Sequence, residues 1–260
     1  MKPFPSGFER RDIELSGVRI TLLVAGAGPD LVFLHGAGTF PGFAALLPWA
    51  AERRVIIPFH PNFGASADSA ALTGIDDYVL HYMDLFDALG LASFDLAGFS
   101  LGGWIAAEFA IRQPLRVRKL VLVAPAGLEV PTAPPPDLFA LPPQEVPAYL
   151  THDPMVAVSY FPKGPDPQFE AGLGREMGAL ARIIAPHPQG SPRLGRWLHR
   201  LTMPTLLVWG AEDRLMPAAQ AEAWRRAIPG CRLESIPAAG HLVFEEAPAT
   251  AKLITAFLAS

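Results

Sequence analysis

A chain of 260 residues, half of them apolar and 18% charged, can bury a sizeable core and does not have the composition of a disordered segment. The formal net charge of −4, without a run of like charges, gives no sign of a nucleic-acid surface. One cysteine, Cys231, excludes an intramolecular disulfide, the seven histidines show no metal-ligand spacing, and no apolar stretch is long enough to span a bilayer. With no apolar signal-like run in Met1-Lys-Pro-Phe-Pro-Ser-Gly-Phe, the expectation is a soluble cytoplasmic protein without metal, cofactor, membrane or nucleic-acid partner.

In chain order, β-branched and leucine-rich runs predict strands over residues 19–25, 31–34, 54–58, 94–97, 119–123, 205–209 and 232–236. Helical patterns fall between them, notably over 75–89 and 102–112, and a last one covers 247–258. This alternation predicts an α/β fold with a mostly parallel central sheet and helices on both faces. Between Ala124 and Leu201 the alternation stops. The stretch is rich in proline, shows no convincing strand, and carries helical patterns at 143–151, 167–184 and 191–201. Structureless loops of that length are rare, so it reads as an inserted helical lid. The expected organisation is a core over 1–124, the lid over 125–201, and the core again over 202–260.

Chemistry concentrates at Gly98-Phe-Ser100-Leu-Gly102-Gly103, between the predicted strand 94–97 and the helix that follows. A serine there sits on a tight strand-to-helix turn, with small residues at 98 and 102 relieving the crowding. The helix N-terminus behind it favours negative charge on an attacked oxygen. A serine hydroxyl needs a base to take its proton, and in this class the order along the chain is serine, acid, histidine. Asp213 and His241 meet that order, each just beyond the C-terminal end of a predicted strand, on the edge where ligand sites lie in such sheets. Glu212 and Glu129 compete with Asp213 for the acid's place: adjacent loop side chains diverge, so one of Glu212 and Asp213 can face His241, and the strand before Glu129 ends in Ala124-Pro125 with no carboxylate at its tip; Asp213 is favoured. The backbone amides of Ala37, with Gly38 as fallback, and Leu101 are the expected oxyanion donors. His35 is read as holding that loop.

His35-Gly36, Gly98-Phe-Ser-Leu-Gly, Trp209-Gly-Ala-Glu-Asp213 and Gly240-His241 together resemble the α/β-hydrolase superfamily over nearly the whole chain. The resemblance implies catalytic roles for Ser100, Asp213 and His241 and for the amides of Ala37 and Leu101. A departure occurs at Phe59-His-Pro-Asn62-Phe-Gly64-Ala-Ser66, where relatives often have Asp-x-x-Gly-x-Gly-x-Ser. Asn tolerates the left-handed backbone that such a turn needs. Phe40, Phe99, Met155, Tyr160 and Val243 are expected to border the substrate. The expected activity is hydrolysis of a small apolar carboxylic ester through an acyl-enzyme. Cleavage of a C–C bond in a vinylogous diketone acid, or a receptor that keeps the triad, are the alternatives.

Overall fold

The structure, a computed structural model, describes residues 6–260. Its strands are β1 (Glu9–Leu15), β2 (Val18–Ala25), β3 (Asp30–Leu34), β4 (Arg54–Pro58), β5 (Phe94–Phe99), β6 (Val117–Val123), β7 (Thr205–Gly210) and β8 (Arg232–Ile236). They form one sheet in the order β1-β2-β4-β3-β5-β6-β7-β8. The pairs β1–β2 and β2–β4 are antiparallel, and every pair from β4 to β8 is parallel. The central strands are buried on both faces, which is why they read as unbroken apolar runs.

β1 is absent from the sequence expectation. Its residues Glu-Arg-Arg-Asp-Ile-Glu-Leu are largely exposed and charged, as an edge strand tolerates. It is joined to β2 by Ser16 and Gly17, whose φ values of 51° and 77° match a tight hairpin turn. Arg10 pairs with Asp12 at 2.9 Å, and Arg11 with Glu9 at 2.9 Å, one pair on each face of the strand.

Helices α1 (Ile75–Ala88) and α2 (Leu101–Arg112) pack on one face through Tyr78, Tyr82, Phe86 and Phe109. On the other face Phe33, Trp49, Phe244 and Leu258 form a second apolar layer beneath the C-terminal helix. Between β6 and β7 the chain adds no strand to this sheet and instead forms α3 (Val146–Leu150), α4 (Pro154–Val158), α5 (Pro167–Ile184) and α6 (Leu194–Trp197). The pattern at 167–184 matches α5, and those at 143–151 and 191–201 shrink to shorter helices. Asp166 caps α5 by accepting from the N–H groups of Gln168 and Phe169. Three further helices complete the chain: α7 (Ala219–Ala227), α8 (Val243–Glu246) and α9 (Thr250–Ala259).

The insertion is tied to the core by charged side chains on α5. The buried Glu176 carboxylate accepts from the Thr39 N–H at 3.0 Å, the Thr39 hydroxyl, and the Gly64 N–H at 2.8 Å. Next to it, Arg175 donates to Asp68 at 2.7 Å and to the carbonyls of Gly64 and Ser66.

Candidate active site

Ser100 lies between the end of β5 and the start of α2 with φ 53° and ψ −117°, a conformation that side-chain-bearing residues rarely adopt. The turn is possible only with glycine nearby. A Cβ at Gly98 would stand 2.4 Å from the Gly102 carbonyl oxygen, and one at Gly102 would stand 2.1 Å from that of Leu34. Three backbone hydrogen bonds hold the strained residue. Its N–H donates to Val123 O at 3.0 Å, and its carbonyl accepts from Trp104 at 3.1 Å and Ala126 at 3.0 Å.

Asp213 follows β7 and His241 follows β8, and the two loops are stitched together. The Ala211 N–H donates to Ile236 O and the Glu212 N–H to Ala239 O, both at 2.9 Å. His241 Nδ1 donates to Asp213 Oδ2 at 2.9 Å, with both side chains buried. The other oxygen, Oδ1, accepts from the N–H groups of Leu215 at 2.9 Å and Met216 at 2.8 Å. The carboxylate is thus filled with donors, and a proton on Nδ1 leaves Nε2 as an acceptor. The Phe99 ring, one residue before Ser100, lies 4.9 Å from the imidazole. Glu212 and Glu129 are exposed, so of the three acids only Asp213 is brought to His241.

Ala37 and Leu101 border the same cavity as Ser100. Among the described residues neither amide N–H has a protein acceptor, which leaves both available to a bound oxygen. The loop carrying Ala37 is fixed from below by histidines. The His60 N–H donates to His35 Nε2 at 3.0 Å, so His35 carries its proton on Nδ1 and donates to Gly36 O at 2.6 Å. His60 Nε2 donates in turn to His35 O at 2.7 Å, and its Nδ1 accepts from the Tyr82 hydroxyl. Burial holds His35 down at about 4 and His60 well below the usual histidine range, so both rings stay neutral. Asn62 takes φ 71° in the departing turn, and its amide bonds Ser69 and the Tyr78 hydroxyl, so the turn keeps its shape without glycine at that position.

The cavity that Ser100 faces has a volume of about 490 Å³ and an apolar wall including Leu128, Leu138, Phe139, Leu180 and Ile184. Its lining holds no lysine or arginine; Asp137 and His187 are its only ionisable side chains. None of the five residues expected to border the substrate is in the lining of this cavity. Phe40 and Tyr160 line a second cavity of about 340 Å³ beside Glu176, and Phe99 faces a small pocket with Leu242 and Phe244. Met155 is 66% exposed, and Val243 is packed in the core. The wall residues Leu180, Ala181 and Ile184 were not singled out from sequence, although their spacing on α5 puts them on one helical face. Among the described residues no cluster of three His, Cys, Asp or Glu side chains is placed to hold a metal, and no helix is long and apolar enough to cross a membrane.

The chain is 42% identical to the 2-hydroxymuconate semialdehyde hydrolase of Pseudomonas sp. (strain CF600) over 129 residues, a match spanning 46% of this chain and 45% of that protein. A 2-hydroxymuconate semialdehyde hydrolase of Pseudomonas putida is 30% identical over an aligned length of 275, covering 96% of this chain and 94% of the relative. A carboxylesterase of Bacillus subtilis (strain 168) is 28% identical, covering 85% and 76%. Among solved structures, the 2-hydroxy-6-oxo-6-phenylhexa-2,4-dienoate hydrolase of Rhodococcus sp. strain RHA1 superposes with a TM-score of 0.80 at 20% identity, covering 97% of this chain and 99% of that one. The family model described as the alpha/beta hydrolase family matches residues 31–252, and on that extent of sequence and fold the chain belongs to the alpha/beta hydrolase family.

Proposed function

We propose that this hydrolase cleaves small, neutral, largely apolar carboxylic esters, with Ser100 as nucleophile, His241 as general base and Asp213 as the residue that orients it. The observations that support the reading are the His241–Asp213 hydrogen bond, the Phe99 ring 4.9 Å from that imidazole, and the strained conformation of the next residue, Ser100, at an apolar cavity. Ser100 Oγ attacks the acyl carbon while its proton passes to His241 Nε2. The carbonyl oxygen becomes an oxyanion and takes hydrogen bonds from the amides of Ala37 and Leu101. Collapse of this intermediate expels the alcohol, which leaves with the proton from His241. Water then attacks the acyl-enzyme, gives a proton to His241, and the acid departs as that proton returns to Ser100. The segment 125–201 serves in this reading as a lid that sets substrate choice, and a cytoplasmic location rests on the lone cysteine.

The second reading, C–C bond cleavage, is supported by the names of the Pseudomonas and Rhodococcus relatives. A dienoate substrate brings a carboxylate, and the ester is preferred because no lysine or arginine lines the Ser100 cavity to receive it. The decisive comparison is kcat/KM for short and medium p-nitrophenyl esters beside that for a 2-hydroxy-6-oxo-dienoate. A dienoate turned over far faster than any ester replaces the first reading with the second. A receptor that keeps the triad without turnover is recognised by slow labelling with a fluorophosphonate, which an active Ser100 takes up rapidly.

A further inference from the structure

The loop that carries His241 has a partner outside the core sheet. Glu246, the last residue of α8, folds its half-buried carboxylate back toward that loop and accepts from the Gly240 N–H at 2.6 Å. The same oxygen accepts from the His152 N–H at 3.0 Å, and the other accepts from the Asp153 N–H at 2.8 Å. His152 and Asp153 belong to the corner between α3 and α4, inside the insertion. One carboxylate therefore joins the residue preceding His241 to the segment that covers the core. The contact is reinforced on the other side of the histidine, where the Leu242 N–H donates to Leu150 O at 2.8 Å. The two backbones are also packed directly, since a Cβ at Gly240 would stand 2.8 Å from His152 N. His241 is thus flanked by Leu242, bonded directly to the insertion, and by Gly240, joined to it through Glu246.

From this geometry we infer that Glu246 is a positioning residue, a clasp that makes the placement of His241 depend on the insertion being seated. The inference rests on the proposed role of His241 as base. All three groups that Glu246 receives are N–H donors, and hydrogen bonds to an ionised acceptor are the strong kind. An amide in its place keeps the shape but offers a single accepting oxygen, and its NH₂ would face at least one of the same donors. Glu246→Gln therefore opens the clasp without removing bulk. A segment that only covers the substrate would alter binding of long esters when loosened. A segment that also sets the base must alter the reactivity of Ser100 toward probes too small to reach it.

The test compares wild type, Ser100→Ala, Glu246→Gln and Arg175→Ala, using diisopropyl fluorophosphate labelling and p-nitrophenyl acetate kinetics. Misplacing a catalytic group by a fraction of an ångström to an ångström costs on the order of ten- to a hundredfold, and that loss is expected in the labelling rate and kcat of Glu246→Gln, with KM nearly unchanged. Arg175→Ala removes one tie of α5 to the Gly64–Asp68 turn but leaves the Glu176 anchor and the Glu246 clasp in place, and is expected to label like wild type. If wild type is not labelled at Ser100, the proposed function falls and takes this inference with it. If wild type is labelled and Glu246→Gln reacts as fast, the clasp alone is refuted. Should Glu246→Gln fail to fold, hydrogen exchange on the unaltered chain decides. The amides of Gly240, His152 and Asp153 are expected to show matching protection. Free exchange at 152 and 153 beside a protected Gly240 overturns the inference.

Discussion

Replacing Asp213 with asparagine separates the orienting role proposed for this residue from its bulk. Oδ1 of Asp213 accepts from the N–H groups of Leu215 and Met216, so the amide oxygen of an asparagine is held in that place. Turning the amide round would set its NH₂ against both donors, at about 1–3 kcal/mol for each donor left unpaired. The NH₂ therefore faces His241, whose Nδ1 must become an acceptor, and the proton moves to Nε2. That is the tautomer unable to take a proton from Ser100. The same substitution in a serine-protease triad costs on the order of 10⁴ in kcat, and a comparable loss is expected here. At 1.36 kcal/mol for each tenfold this is about 5 kcal/mol, within the roughly 2–6 kcal/mol that regaining the active tautomer would cost by turning the amide against both donors. The assay is kcat for p-nitrophenyl acetate, with nitrogen NMR of His241 reporting the tautomer. Activity within about tenfold of wild type, or an Nδ1 proton that persists in the variant, would refute the reasoning. Glu212→Gln and Glu129→Gln serve as controls and are expected to be mild, since both side chains are exposed.

Ser100→Ala and His241→Ala are each expected to abolish turnover with the fold intact, and the double variant should be hardly slower than either single one; additive losses would show that the pair does not act together. Gly102→Ala sets a Cβ 2.1 Å from Leu34 O, a backbone atom that cannot step aside, and should destabilise by about 3 kcal/mol or more in urea unfolding while lowering fluorophosphonate labelling. His35 is neutral in the fold down to about 4, whereas the unfolded chain binds its proton below the ordinary value of 6.5. The stability it contributes is therefore complete above pH 6.5 and is lost as pH falls toward 4, with about 2 kcal/mol gone at pH 5. His35→Gln should flatten the pH dependence of urea unfolding by about that amount between pH 7.5 and 5, and equal slopes would sink the idea.

Ser100 was legible because the elbow is local: the glycines at 98 and 102 are demanded by carbonyl oxygens within a few residues or on the adjoining strand. The choice of Asp213 over Glu212 was open on chemistry alone. The fold buries Asp213 against His241 and holds its other oxygen with two amides from the next few residues, which no pattern in the sequence announces. The cavity wall was the least legible part. Hydrophobicity pointed to Phe40, Met155 and Tyr160, but the short, proline-interrupted helices of the insertion carry too little periodicity to say which way they face. Phe40 stacks on Phe161 at 5.2 Å and lines the second cavity. α5 was legible in extent, and its buried Glu176 was not, because a carboxylate on a helix reads as a solvated face until its partners Thr39 and Gly64 are seen. β1 escaped notice for a related reason, since a strand with water on one edge needs no apolar run.

That same strand bears on how the protein behaves in concentrated solution. Among the described residues β1 is the outermost strand of the sheet on its side, and an outermost strand is a template on which a second chain can add. The pairs Arg10–Asp12 and Arg11–Glu9 put opposite charges on both of its faces. As stability elements such exposed pairs contribute little. For a second copy approaching edge to edge, the same four side chains form a hydrated barrier that must be stripped before any backbone bond forms. Their desolvation therefore works against edge-to-edge association as the solution is concentrated, and the open side of the sheet is guarded by charge.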